Sequence, residues 1–324
     1  MARVGGVTHG TEVHSVGLVL HPTKPVAESI ATITDWAAAH GSHALARAQD
    51  KDRVPDGIEV VPDEEFVRRI DGVVALGGDG TMLGAMRLVI DRPVPVLGVN
   101  HGNLGFLVEV TPSGLNKALA DLQAGDFTIE QHGCLVADGV ELATRFAFND
   151  VVLARLGRGA VSIDLTVNDQ RYGYYRCDAV VVATPNGSTA YNYAAGGPVV
   201  SPSAACTVIT PVAPMAGISR PIVLGDGDRV TLTVAPDSAQ VAVDMDGTTG
   251  GELRHGDALT TTLRQNAAQV VRLSAGDHAS FSRVKLSLLD LPLRRDQLLE
   301  LIPAELRERA ELSVRQSGAA EQPG

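Results

Sequence analysis

Apolar positions fall in two rhythms along this chain, and the change between them comes near residue 128. Before it, short continuous apolar runs alternate with longer amphipathic ones. SVGLVL (15–20) predicts a buried strand, HPTKP a proline-bounded turn, and VAESIATITDWAAAHG (26–41) a helix stopped by Gly41. The same logic predicts a short helix in DEEFVRRI (63–70), a buried strand in VVAL (73–76), a helix in MLGAMRLVI (82–90) and a strand in VPVLGVN (94–100). TPSGLNKALADLQAG (111–125) reads as a helix with a capping start and a glycine stop. Strands alternating with helices imply a parallel sheet with helices against it.

After residue 128 the runs become short and alternating: FAFNDVVLAR, AVSIDLTV, RVTLTVAP, QVAVDM, DALTTTL and AQVVRLS. Turn signals at Asn168-Asp169 and Asp246-Gly247 separate them. This is the pattern of sheets packed face to face. The expectation is therefore a Rossmann-like α/β domain over 14–128 and an all-β domain over 129–276. A strand candidate, FSRVKLSLL (281–289), lies in a segment 277–293 expected to rejoin the first domain, and 294–324 is expected to form a helix and a solvated tail.

At 324 residues and 44% hydrophobic content the chain supports two cores. Its 27 basic and 38 acidic residues give −11, which argues against a diffuse nucleic-acid or membrane-surface binder, so an anionic ligand must meet a local positive spot. Three cysteines, Cys134, Cys177 and Cys206, lack metal-ligand spacing and suit a reducing compartment; with no secretory or membrane-spanning run, the expected location is cytoplasmic.

Candidate chemistry begins at LGGDGT. Gly77, Gly78 and Gly80 sit between a buried strand and a helix, where a doubly wound sheet places its ligands, and Thr81 with the free helix amides suits phosphate oxygens. Asp79 repels phosphate there, so its use is to hold a metal ion or to accept a proton from an attacking hydroxyl. GVNHGNLGFL (98–107) adds Asn100, Asn103 and Phe106 near the same sheet edge. FNDVV (148–152) puts Asn149 and Asp150 in an apolar strand, where at least one must be buried or line a site. In RCDAVVVATPNGSTAY (176–191), Arg176 and Asp178 precede a buried strand and a turn of hydroxyls and amides leads to Tyr191. Arg155, Arg158, Arg176 and Arg220 are all open candidates for the positive charge.

LGGDGTML, GVNHGNLGFL, FNDVV, TPNGSTAY with AAGGP, SRPIVL and VDMDG occur in the order seen in NAD kinases, and over roughly residues 14–290 the chain resembles that family. The resemblance implies transfer of a phosphoryl group from ATP, or polyphosphate, with Mg²⁺ or another divalent metal, to the 2′-hydroxyl of the adenosine ribose of NAD. A paralogue acting on another nucleoside or nucleotide hydroxyl is the alternative. It implies Asp79 as the base, Gly80 near the ribose and Phe106 along the adenine pocket. Asn149 and Asp150 would bind adenine and ribose, Arg176 and Asp178 would lie toward nicotinamide, and Thr189, Ala190 and Tyr191 would complete the walls. A homodimer or homotetramer is implied, with no nucleic acid, no membrane and no protein metal site assigned. Asn186 and His132 depart from the family pattern, as do Ala179, Ala194, Met215-Ala216-Gly217 and Thr248.

Overall fold

The computed structural model describes residues 8–102 and 105–273. Asn103, the strand expected at 281–289, the segment 277–293 that contains it and the stretch 294–324 lie outside the described residues.

Strands β1 (Thr8–His9) and β2 (Ser15–Leu20) precede α1 (Ala27–His40), β3 (His43–Arg47) and β4 (Glu59–Val61). Then come α2 (Asp63–Arg69), β5 (Gly72–Gly77), α3 (Asp79–Leu88), β6 (Pro95–Asn100) and α4 (Leu115–Ala124). Strands β3 and β4 carry no apolar run long enough to stand out in the pattern. Helices α1 and α4 stop at Gly41 and Gly125, both in the left-handed region at φ 63° and 68°. The start of α4 differs from expectation, because Gly114 stands at its N-cap and no side chain caps it.

Parallel pairing gives the order β6-β5-β2-β3-β4. The chain steps from β2 through α1 to β3 on one side, while β5 lies against the other side of β2, so the winding reverses between β2 and β5. Ligands of open α/β sheets bind outside the carboxyl ends of strands at such a reversal. Ile30, Ile33 and Trp36 of α1 and Leu119 of α4 cover one face, and Phe66 of α2 with Met82 and Met86 of α3 cover the other.

The second half contains β7 (Thr128–Asp138), β8 (Phe146–Ala147), β9 (Asp150–Arg155), β10 (Val161–Val167), β11 (Gln170–Cys177) and β12 (Ala179–Ala183). It continues through α5 (Tyr191–Ala194), β13 (Cys206–Val212), β14 (Ala216–Gly217), β15 (Ile222–Gly225) and β16 (Val230–Val234) to β17 (Val241–Met245), β18 (Thr248–Leu253) and β19 (Ala258–Arg272). An antiparallel sheet of order β15-β13-β12-β9-β17-β18 faces strands of the larger sheet, and Leu153, Val180 and Val182 meet Ile163, Leu165 and Leu232 in a shared core. The Asn168-Asp169 turn holds φ 50° and 64°, as a tight hairpin of the twisted ladder requires.

The two strands expected in DALTTTL and AQVVRLS are one. Strand β19 runs 15 residues, with a register shift between Arg264 and Ala268. Its first half pairs β16, and near its end Gln269 and Val270 lie parallel to Pro95 and Val96 of β6. One strand thus joins the α/β sheet to the β-rich part. Among the described residues no helix is long and apolar enough to cross a membrane.

Candidate functional site

Strand β5 ends at Gly77, the chain turns through Gly78, and α3 starts at Asp79, three residues before its apolar periodicity begins at Met82. Gly77 is required by contact, since a β-carbon there would lie 2.1 Å from Thr81 Oγ1. At Gly78 and Gly80 a β-carbon would meet open space. The N–H groups of Thr81 and Met82 donate to the Gly78 carbonyl at 3.0 and 3.1 Å, while those of Asp79 and Gly80 precede any intrahelical bond.

The Asp79 carboxylate turns away from these amides. It accepts the Phe106 N–H at 2.7 Å and the Leu107 N–H at 3.0 Å, so the loop after β6 holds both oxygens. Gly105 permits this approach, because a β-carbon there would lie 2.1 Å from Asp79 Oδ1. Asp79 thereby lines a cleft of about 520 Å³ with Phe106, Asn149, Asn186, Thr189 and Ala190, a size and apolar character usual for small-molecule sites.

Asn149 and Asp150 are not within one continuous strand. The chain breaks at residues 148–149 between β8 and β9, and the cause is Asp246. Its fully buried carboxylate accepts N–H groups from Phe148, Asn149 and Asp150 at 2.9, 2.6 and 3.2 Å and pairs with Arg87 of α3 at 3.2 Å. Phe148 drops into the core shared with α3, which leaves Asn149 on the cleft wall and Asp150 buried behind it. The TPNGST stretch is bound to the same bend. Thr184 donates its hydroxyl to the Phe148 carbonyl at 2.6 Å and its N–H to the Asn149 carbonyl at 2.9 Å. A β-carbon at Gly187 would stand 1.9 Å from that Asn149 oxygen.

Burial and the neighbouring Asp246 charge push the Asp150 carboxyl up to about 7, although the Tyr191 N–H bonds to it. Burial likewise raises Asp246 against the pull of its N–H donors and Arg87. Along the opposite wall, buried Arg272 pairs with Glu130 at 2.7 Å and Glu109 at 3.1 Å, and His132 approaches Glu130 at 2.8 Å. Burial alone would raise Glu130, yet the His132 hydrogen bond and the Arg272 charge hold it well below the usual carboxylate range. Asn186 and His132, two departures from the family pattern, face each other in hydrogen-bond contact.

The expected residues therefore divide. Asp79, Phe106, Asn149, Thr189 and Ala190 share the cleft, with Gly80 on the adjoining first turn of α3. Tyr191 is exposed beside it. Asp178 sits just before β12, roughly 17 Å of strand from its cleft end at about 3.3 Å per residue, and Arg176 lies beside it near the end of β11. There Arg176 pairs with Asp237 and Asp178 with Arg155. None of Arg155, Arg158, Arg176 and Arg220 lines the cleft. Arg87, Glu130 and Arg272 were missed, because each acts through partners distant in sequence; Arg87 and Asp246 are 159 positions apart.

The chain is similar to known proteins along most of its length. Residues 16–127 match the ATP-NAD kinase N-terminal domain and residues 148–273 the ATP-NAD kinase C-terminal domain. An NAD kinase of Heliobacterium modesticaldum is 35% identical over 276 residues, covering 80% of this chain and 93% of that one. One from Moorella thermoacetica is 34% identical, covering 84% and 88%. Yeast NADH kinase complexed with NADH superposes with a TM-score of 0.76 at 20% identity, over 88% of this chain and 90% of that one. An NAD kinase from Archaeoglobus fulgidus in complex with ATP gives 0.63 at 22%, over 84% and 98%. The two structures speak for the fold, the sequence matches for descent, and through both of its halves this chain belongs to the ATP-NAD kinase family.

Proposed function

We propose that the protein transfers the terminal phosphoryl group of ATP to the 2′-hydroxyl of the adenosine ribose of NAD, forming NADP and ADP. The observation that carries this reading is the Asp79 carboxylate, turned into the cleft by two N–H donors with lone pairs left over. As the ribose oxygen attacks the γ-phosphorus, Asp79 takes its proton and the bond to ADP breaks. Phe106, Thr189 and Ala190 supply apolar and hydroxyl wall for the adenosine, and Asn149 presents its amide. Asp150 stands behind them, held neutral at pH below about 7. Gly80, adjoining Asp79, leaves room for the sugar, with Tyr191 at the rim.

Magnesium enters as part of MgATP. Magnesium keeps a shell of phosphate oxygens and water in most nucleotide sites, which suits an ion carried by the donor. Gly77, Gly78 and Thr81 face the donor. Arg176 and Asp178 reach the nicotinamide end from a second copy, making the enzyme a homo-oligomer, and it works in the cytoplasm without nucleic acid or membrane partners.

Purified protein with NAD and MgATP is expected to form NADP, detected with an NADP-specific dehydrogenase. Asp79→Asn should lower kcat by about 10² to 10⁴-fold, the usual worth of a general base. Near wild-type turnover in this variant would remove the assigned role.

A further inference from the structure

Arg272, the last residue of β19, is buried and lines the cleft with Asp79. A guanidinium so placed is costly to desolvate, and a buried cluster of one arginine and two carboxylates is a poor source of stability because that cost offsets most of its Coulombic gain. What an arginine fork supplies instead is direction. Its Nε donates to Glu130 Oε2 at 2.7 Å, while Nη1 donates both to Glu109 Oε2 and to the Leu107 carbonyl at 3.1 Å. Glu109 accepts the Leu273 N–H on its other oxygen at 3.2 Å, and His132 stands 2.8 Å from Glu130 on the far side, so the fork is held from both ends.

The bond to Leu107 is the one that reaches the chemistry. Residues 105–109 lie in neither helix nor strand, although Leu107 and Val108 are buried. Buried irregular backbone needs partners for its polar groups. At Leu107 the N–H donates to Asp79 Oδ1 at 3.0 Å and the carbonyl accepts from Arg272, so the residue is gripped on both sides of its α-carbon. The Phe106 N–H, which holds the other Asp79 oxygen at 2.7 Å, belongs to the neighbouring residue and moves with it. Further along, the N–H groups of Glu109 and Val110 both donate to the Gly98 carbonyl, at 3.0 and 3.1 Å, which ties the segment to β6 beyond residue 108. Without the arginine, Leu107 is free to turn about that anchored end, and the amides that hold the base turn with it.

We propose that Arg272 is the positioning residue of the base: through Leu107 it fixes the amides that aim the Asp79 carboxylate into the cleft. Resting on the kinase reading above, this sets the direction of the base from β19, the strand that pairs with both the α/β sheet and the β-rich part.

Arg272→Lys keeps the charge but replaces a planar fork with a point donor on a flexible stem, which cannot serve Leu107, Glu109 and Glu130 in fixed directions. Assayed on the full chain with NAD and MgATP, it should lower kcat by about 10²-fold, the scale of a misplacement of about 1 Å, while KM for each substrate stays within about threefold. In an Asp79→Asn background the same change should lower kcat by no more than about twofold, because the base it serves is already gone. An arginine that only supports the fold would instead give losses that multiply. A second readout does not depend on turnover: hydrogen exchange of the 105–109 amides, followed by mass spectrometry, should quicken in Arg272→Lys. Should that variant not fold, Glu109→Gln, which spares the arginine's bonds to Leu107 and Glu130, carries both comparisons, with smaller changes in the same directions. Unchanged kcat in folded Arg272→Lys, equal losses with and without Asp79, or unaltered exchange at 105–109 would overturn the proposal. Absence of NADP formation by the wild type, with exchange still quickened in Arg272→Lys, would instead remove the kinase reading alone.

Discussion

The bend at 148–150 exists because one carboxylate collects three amides, and replacing that carboxylate tests the whole site. In Asp246→Asn the remaining oxygen can keep the Asn149 and Asp150 N–H groups, which share Oδ1 at 2.6 and 3.2 Å. The new amide nitrogen then faces the Phe148 N–H and Arg87, both donors, which Oδ2 had accepted at 2.9 and 3.2 Å. An orphaned buried N–H costs about 1–3 kcal/mol, and breaking a buried ion pair about 3–5 kcal/mol. Arg87 keeps some contact with water, so the lower ends apply. Against this, loss of the Asp246 charge eases ionisation of Asp150. The balance at pH 8 is a loss of roughly 2–3 kcal/mol, which for a chain of this size lowers the melting temperature by roughly 5 °C. Urea or thermal unfolding followed by circular dichroism measures it. A cycle with Arg87→Met should show coupling above about 0.5 kcal/mol, as expected of residues in one ion pair. The KM for NAD should rise more than the KM for ATP, because Asn149 moves with the bend. Stability within about 0.5 kcal/mol of wild type, the range of an ordinary surface change, would refute the argument that Asp246 shapes this wall.

Further outcomes follow from the same geometry. Gly187→Ala places a methyl 1.9 Å from the Asn149 carbonyl, so the 184–189 turn must shift, and activity and stability should fall together, by about 1–3 kcal/mol in the latter. Soluble protein with wild-type melting would contradict this. Asp150→Asn should stabilise the protein at pH 8 and have little effect below pH 4. The native carboxyl titrates near 7 against 3.8 for the free group, so wild-type stability contributed by this residue is present at low pH and lost between about 4 and 7. At 1.36 kcal/mol per pH unit the difference is at most roughly 4 kcal/mol, read from denaturation curves across pH.

How much of this was legible in one dimension depended on how local each cause is. The rhythm of apolar residues sufficed for β2, α1, α2, β5, α3, β6 and α4, because period and glycine stops act within a few residues. Hairpins at Asn168-Asp169 and Asp246-Gly247 were equally local, since those residue types tolerate positive φ. Strand β19 was split in expectation because its register shift interrupts the alternation, while ladder bonds on both sides hold it as one strand.

The glycine turn, the apolar partners of the cleft and the family itself could be named from residue order alone. What tertiary structure decided was direction. Which way the Asp79 carboxylate points depends on amides of residues 106 and 107, which only the β5-β6 pairing brings near. The separation of Arg176 and Asp178 from the cleft follows from their place at the junction of β11 and β12, at the opposite end of β12 from the cleft. Motifs announce which chemistry a chain holds, because residue type is written in order; electrostatic neighbours are set by strand register, and that is fixed only when the sheet forms.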